Sequence, residues 1–319
     1  MIPQLTETSV LSMHDGIDWS DMGIPVFVWN DPVLDSHFNS TFRRGAFVQF
    51  QAPEKTGKTY WLLYIYYLAV TQGLRAVYFE CGDLMKYEWL DRLAALHGGV
   101  MLQEPDKDNE LDMMSRPSSI DGDGEVSRRQ RKFKLLSDKN RRPILERFEK
   151  EHGGKYHFSG HVNSSLSVEQ MHSTVSWMDR RPDVVVVDYA DILSHSKEEK
   201  AGLDDTWKKL RAFAQHFECA LVIATQADAA AYSQETQTGS NFSGSKGKNS
   251  HCSDVIGLNK LRTLHDTQVE GDVFLLQWLF RRHGPKDRSV FTAGNLNIGH
   301  PCMVSSFANK GRSRSRSRR

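Results

Sequence analysis

Ala52-Pro53-Glu54-Lys55-Thr56-Gly57-Lys58-Thr59 decides the fold of this 319-residue chain. An apolar stretch, Ala46 to Phe50, precedes it and reads as a strand. An unbroken apolar run, Tyr60 to Thr71, follows and reads as a helix, with Gly73 where a C-cap belongs. The spacing is that of the phosphate-binding loop G-x-x-x-x-G-K-[ST], with Ala52 in place of the first glycine. Each residue type has a chemical reason. Gly57 lets backbone N–H groups curl round a phosphate, and the helix starting there points its positive end at the same charge. Lys58 is placed to reach the β- and γ-phosphates, and the Thr59 hydroxyl to hold Mg²⁺. ATP or a related triphosphate, with Mg²⁺, is the ligand this stretch implies.

Outward from the loop, strand-like and helix-like segments alternate from Gly23 onward, as in a parallel sheet covered by helices. The spacing predicts strands at 45–51, 76–80, 184–188, 220–225 and 273–280, and helices at 60–72, 86–97, 168–178 and 203–217. The expected class is α/β, with a mostly parallel central sheet flanked by helices. Three of these strands end in polar residues, and ligands of such sheets sit outside the carboxyl ends of the strands. Asp188 closes Val184-Val185-Val186-Val187 and can reach the Mg²⁺ held by Thr59. Glu80 closes Ala76-Val77-Tyr78-Phe79 and is the candidate general base for an attacking water. Gln226 closes the third strand and is placed to sense the γ-phosphate. Asp191 lies past its strand end and is the weaker metal candidate.

Two stretches break the alternation. Residues 104–154 are charged and read as a flexible loop followed by helices at 129–136 and 143–152. Residues 227–253 are rich in Ser, Gly, Gln and Asn, and a loop that long leaving a central strand reads as functional. The domain plan is a lead-in over 1–22, one nucleotide-binding domain over 23–303, and a basic Ser/Arg tail over 304–319.

Composition narrows the function classes. Hydrophobic residues make up 39% and charged residues 25%, the balance of an ordinary globular protein with no membrane-length apolar run. Cys81, Cys219, Cys252 and Cys302 are scattered, so neither a disulfide framework nor a zinc site is expected, and a reducing cytoplasm fits. His300 and Cys302 come nearest to a metal pair. The net charge of +1 conceals six cations in the last ten residues, which leaves residues 1–309 at −5. Such a tail suits nucleic-acid phosphates or simple solvation.

Together these residues carry a resemblance to the ATPase domain of DnaB-type replicative helicases, within the RecA-like superfamily. It spans roughly Gly23 to Ala293. Gly23-Ile24-Pro25, Leu34-Asp35 and Arg44-Gly45 resemble the family's lead into its phosphate loop. Glu80 with Leu84-Met85 and Leu90, Arg92 and Leu93 resembles its catalytic-glutamate segment. Asp188-Tyr189, Thr225-Gln226 and Asp254-Val255-Ile256 resemble later motifs. Arg282-His283-Gly284-Pro285 resembles an Arg-x-Gly-Pro hairpin whose arginine reaches a neighbour's ATP site. A lysine usually stands two residues before that arginine. Phe280 stands there here, with Arg281 the candidate substitute.

The resemblance implies a RecA-like P-loop fold with a C-terminal β-hairpin, ATP and Mg²⁺ as cofactors, and a hexameric ring on single-stranded DNA in replication. Lys58, Glu80, Gln226 and Arg282 are then catalytic, Ala52 to Thr59 bind nucleotide, and Thr59 and Asp188 hold metal. Lys197, Lys200, Lys246 and Lys248 are the candidate DNA contacts. A primase or loader is the implied partner, although only about twenty residues precede the core where a primase-docking domain would stand. Free-standing cores of this size resemble those of bacteriophages, acting in the host cytoplasm. Pro53-Glu54 is closer to the RecA recombinase loop, which keeps a recombinase or recombination mediator open. A nucleotide-switched binding protein without motor activity is the third class.

Overall fold

Every residue of Phe47–Ala52 is buried, and the sheet is built outward from that strand. The computed structural model describes residues 23–82, 84–104, 115–195, 199–234, 236–241, 247–261, 263–264, 267–268, 271–284 and 286–309. In chain order the elements are α1 (Pro32–Phe38), β1 (Phe47–Ala52), α2 (Lys58–Thr71), β2 (Ala76–Glu80), α3 (Lys86–Gly98), β3 (Ser115–Ile120) and β4 (Val126–Gln130). There follow α4 (Asp138–His152), β5 (Tyr156–Gly160), α5 (Val168–Ser176), β6 (Val184–Asp188), α6 (Glu199–Phe217), β7 (Ala220–Gln226) and α7 (Lys248–His251). The last are β8 (Asp254–Lys260), β9 (Thr263–Leu264), β10 (Thr267–Gln268), β11 (Asp272–Arg281), β12 (Ser289–Asn295) and β13 (His300–Phe307).

The main sheet has nine strands in the order β13-β12-β11-β8-β1-β7-β6-β2-β5. Strands β8 through β5 in that order are parallel, and β11, β12 and β13 add an antiparallel wing. Period-two alternation explains the two layers. Val48, Phe50, Tyr78, Val184, Val186, Val222 and Ala224 join the core on the α2 side. Phe47, Val77, Phe79, Val185, Val187, Leu221 and Ile223 join the core on the side of α5 and α6, against Trp207, Leu210 and Phe213. Helix α2 lies between the sheet and α3. Nine of its fourteen residues are buried, so an apolar stripe is replaced by an apolar cylinder.

Strands and helices expected from the sequence fall where the pattern put them, within a few residues. The charged stretch 104–154 does not. Residues 129–136 form no helix; β3 and β4 make an antiparallel hairpin. Its turn is fixed by Asp121, whose Oδ1 accepts from the Asp123 and Glu125 N–H groups at 2.9 Å each, with Gly124 at φ 89. A single helix, α4, begins at Asp138 rather than Pro143, because Asn140 Oδ1 accepts from the Ser137 N–H at 2.7 Å and caps its start. Strand β13 runs to Phe307, so the domain continues past 303 and Val304–Phe307 belong to the sheet rather than the tail. Residues 1–22 and 310–319 lie outside the described residues.

Candidate nucleotide site

The phosphate loop joins the end of β1 to the start of α2. Lys55 and Gly57 both take positive φ, at 57° and 99°. A Cβ on Gly57 would also meet Leu296 Cδ1 at 3.3 Å, so conformation and space both call for glycine. Lys58 curls back over the loop and donates from Nζ to the carbonyls of Ala52 at 2.9 Å and Pro53 at 2.8 Å. Burial lowers the affinity of that ammonium for its proton, while Asp188, Asp191 and Glu54 oppose the shift. Thr56 Oγ1 donates to the Pro53 carbonyl at 2.8 Å and closes the turn.

Parallel pairing of β2 with β6 sets Glu80 directly beside Asp188. Both are almost wholly buried. Tyr78 donates its hydroxyl to Asp188 Oδ2 at 2.8 Å, and the Gly82 N–H donates to Glu80 Oε1 at 2.9 Å. Burial pushes the Glu80 carboxyl well above the usual carboxylate range, and the adjacent Asp188 adds to it. Burial raises Asp188 as well, opposed by hydrogen bonds from Tyr78 and Thr59 and by the Lys58 charge. The residues suit Mg²⁺: the Thr59 hydroxyl already bonds Asp188, both donors are hard oxygens, and Glu80 Oε2 is buried without a hydrogen-bond partner. A buried acid pair whose raised affinity for protons the nearby Lys58 and Arg92 charges only partly offset is the setting a divalent cation completes.

Gln226, paired with Ala52 across β7 and β1, donates from Nε2 to Glu54 Oε1 at 2.9 Å. Tyr232 joins the same cluster, accepting from the Glu54 N–H at 3.1 Å. The third strand end thus touches the phosphate loop through a side chain and couples it to the segment after β7. That segment rests on a polar floor absent from the sequence reading. Gln49 accepts from Trp207 Nε1 at 2.9 Å and donates to Asn249 Oδ1 at 3.0 Å, while Gln237 Nε2 donates to the Gln51 carbonyl at 3.2 Å.

Of the candidate DNA lysines, Lys197 and Lys246 lie outside the described residues, as does the Lys200 side chain. Lys248 corrects the expectation. It is buried, ion-paired to Asp191 Oδ1, with its ammonium 4.3 Å from the Trp207 ring centre. Asp191 also accepts from Thr225 Oγ1 at 2.9 Å and the Gln226 N–H at 2.8 Å. It is therefore a bracket holding the end of β7 to α7. Sequence reasoning gave Arg92 no role of its own. Its guanidinium stacks 4.5 Å above the Tyr60 ring, and its charge acts on both Glu80 and Asp188.

Arg282 sits elsewhere. Arg281 pairs with Asp254, and Asp254 with Val48 near the start of β1, whereas the phosphate loop leaves the other end. About 15 Å of strand separates the two. The Arg282 side chain is exposed and donates to the Ser250 carbonyl at 3.0 Å. Arg281 turns inward, donating to Ser40 Oγ at 3.2 Å and lying 4.4 Å from the Trp278 ring centre, so it does not take the place of a lysine at 280. Lys286 does approach that place, 5.1 Å from the centre of the Phe280 ring. Pro285 lies outside the described residues.

Sheet order, phosphate loop and paired strand-end carboxylates define a RecA-like P-loop NTPase fold. Solved structures agree. The chain is similar to a DnaB-like replicative helicase described with its interactions with primase, at TM-score 0.68 and 15% identity over 96% of this chain and 68% of that one. It is equally similar to a second solved structure, described as an ATPase domain, at TM-score 0.68 and 15% identity over 94% and 97%. The RadB recombinase matches at TM-score 0.53 and 14% identity over 86% and 98%. No family model and no curated relative matches the sequence.

Proposed function

We propose that this chain is an ATP-hydrolysing, DnaB-like helicase subunit that moves on single-stranded DNA during replication. One observation supports this most: Arg282 is exposed at the end of the strands opposite the phosphate loop, away from its own copy's nucleotide and open to a neighbour's. In a ring, Ala52 to Thr59 wrap the phosphates of ATP, Thr59 and Asp188 hold Mg²⁺, and Arg282 of the next copy meets the γ-phosphate. Mg²⁺ supplies neutralisation of phosphate charge. Burial alone would keep Glu80 protonated at neutral pH, so its role as base requires the positive charge of a bound Mg²⁺ to hold it as the carboxylate that would orient water and take its proton. Gln226 reports the γ-phosphate to the segment after β7 through Glu54 and Tyr232. Hexameric assembly, a primase or loader partner, the DNA-facing lysines Lys197, Lys200 and Lys246, and a bacteriophage-type setting in a cytoplasm belong to the same proposal. Among the described residues no helix is long and apolar enough to cross a membrane.

ATP turnover measured with and without single-stranded DNA tests the reading. Stimulation is expected, and a rate indifferent to DNA would overturn it in favour of a nucleotide-switched binding protein. Glu80→Gln should keep ATP affinity within about twofold and lower kcat by roughly 10²–10⁴. A second reading, a RecA-like recombinase, draws on the RadB likeness. Electron micrographs on DNA with a slowly hydrolysed ATP analogue separate them: closed rings for the helicase, continuous filaments for the recombinase.

A further inference from the structure

The β3–β4 hairpin carries charge that its own fold does not neutralise. Arg116 stands directly opposite Arg129 across the ladder, and Arg131 follows two residues on, the spacing that keeps one face of an extended chain. Like charges facing each other across strands are unfavourable. All three side chains are exposed, and none has an acidic partner among the described residues. The hairpin's acids, Asp121, Asp123 and Glu125, are confined to its turn, while residues 126–134 hold five cations and no acid.

These arginines line one wall of a groove of about 460 Å³ whose other wall is Met303 and Val304 of β13. A second hollow of about 210 Å³ continues it, adding Phe133 and again Arg116 and Arg131. Ile120, packed against Val273, Phe291 and Ala293, anchors the hairpin on the wing, and the Asn309 N–H donates to the Gly122 carbonyl at 2.7 Å. The cation face is therefore held rather than floating. It is distinct from the nucleotide site: the groove is lined by the hairpin and β13, and Lys58, Thr59, Glu80 and Asp188 are not among its lining residues.

We propose that this groove binds the phosphate backbone of a nucleic-acid strand, at a site separate from the loops after β6 and β7. Guanidinium forks match phosphate oxygens bidentately, and the apolar wall with Phe133 gives unpaired bases a surface to lie on.

The test uses the full chain, an oligothymidylate, and fluorescence anisotropy across a salt series. Replacing Arg116, Arg129 and Arg131 together by Ala should weaken binding and flatten the log–log salt dependence by about 2, three phosphates at roughly 0.7 each. ATP turnover without DNA should not change, since none of the three touches the nucleotide site. The triple Arg→Lys variant should keep most of the slope. A slope equal to the parent's, or a parent that binds no oligothymidylate, overturns the inference. DNA-stimulated turnover is read separately: unstimulated turnover with a flattened slope sinks only the motor proposal, and stimulated turnover with an unchanged slope sinks only this one.

Discussion

At the scale of single residues, Lys248 and Asp191 show why a charge cannot be assigned from its neighbours in sequence. They stand 57 positions apart, and the intervening run of Ser, Gly and Gln gives no sign that Lys248 turns inward. By contrast Glu80 and Asp188 were legible, because a carboxylate ending an apolar strand in a parallel sheet has one place to go. The Lys248→Met variant leaves Asp191 half-buried with no ammonium beside it. It should lose about 3 kcal/mol, the low end for breaking a buried pair, and adding Asp191→Asn should restore part of that. Urea titration of the single and double variants measures both. A Lys248→Met protein as stable as the parent would show the pair to be incidental.

Elements were readable where periodicity was strong and opaque where local side chains chose the turn. The five buried strands and four helices follow from apolar runs of the right length. The hairpin at 115–130 does not, since its strands are mostly polar and exposed, with Pro117 and Ile120 its buried apolar side chains among the described residues. What specifies it is Asp121-Gly122-Asp123-Gly124, a turn signal hidden in a charged stretch. Asp121→Ala removes the acceptor for two backbone N–H groups. Amide exchange of Asp123 and Glu125 should quicken by roughly tenfold, the worth of about 1–1.5 kcal/mol. Exchange unchanged at both amides would mean that the turn holds without its side-chain cap.

For the whole molecule, His37 ties α1 to the antiparallel wing and makes stability depend on pH. Its ring stacks on Trp278 at 5.0 Å between centres. Burial, with Arg281 and Arg288 nearby, lowers its pKa from 6.5 to about 3. The unfolded chain takes up a proton below 6.5 and the folded chain refuses it until about 3, so stability falls as pH drops across that window. His300, lowered to about 4 mainly by burial, acts in the same direction. The His37→Phe protein should lose about 2 kcal/mol less than the parent between pH 7 and pH 5. Parallel thermal melts at the two pH values check this, and equal losses would contradict the assignment.

Arg282 lies at the opposite end of the strands from the phosphate loop, so under the proposed function it acts only between copies of the chain. Arg282→Ala and Glu80→Gln proteins should each be nearly inactive alone. Co-expressed in equal amounts, they should regain DNA-stimulated ATP turnover toward one quarter of the parent rate, because one interface in about four then joins an intact Glu80 site to an intact Arg282. Mixed assemblies no more active than either variant alone would contradict a nucleotide site shared between neighbouring copies.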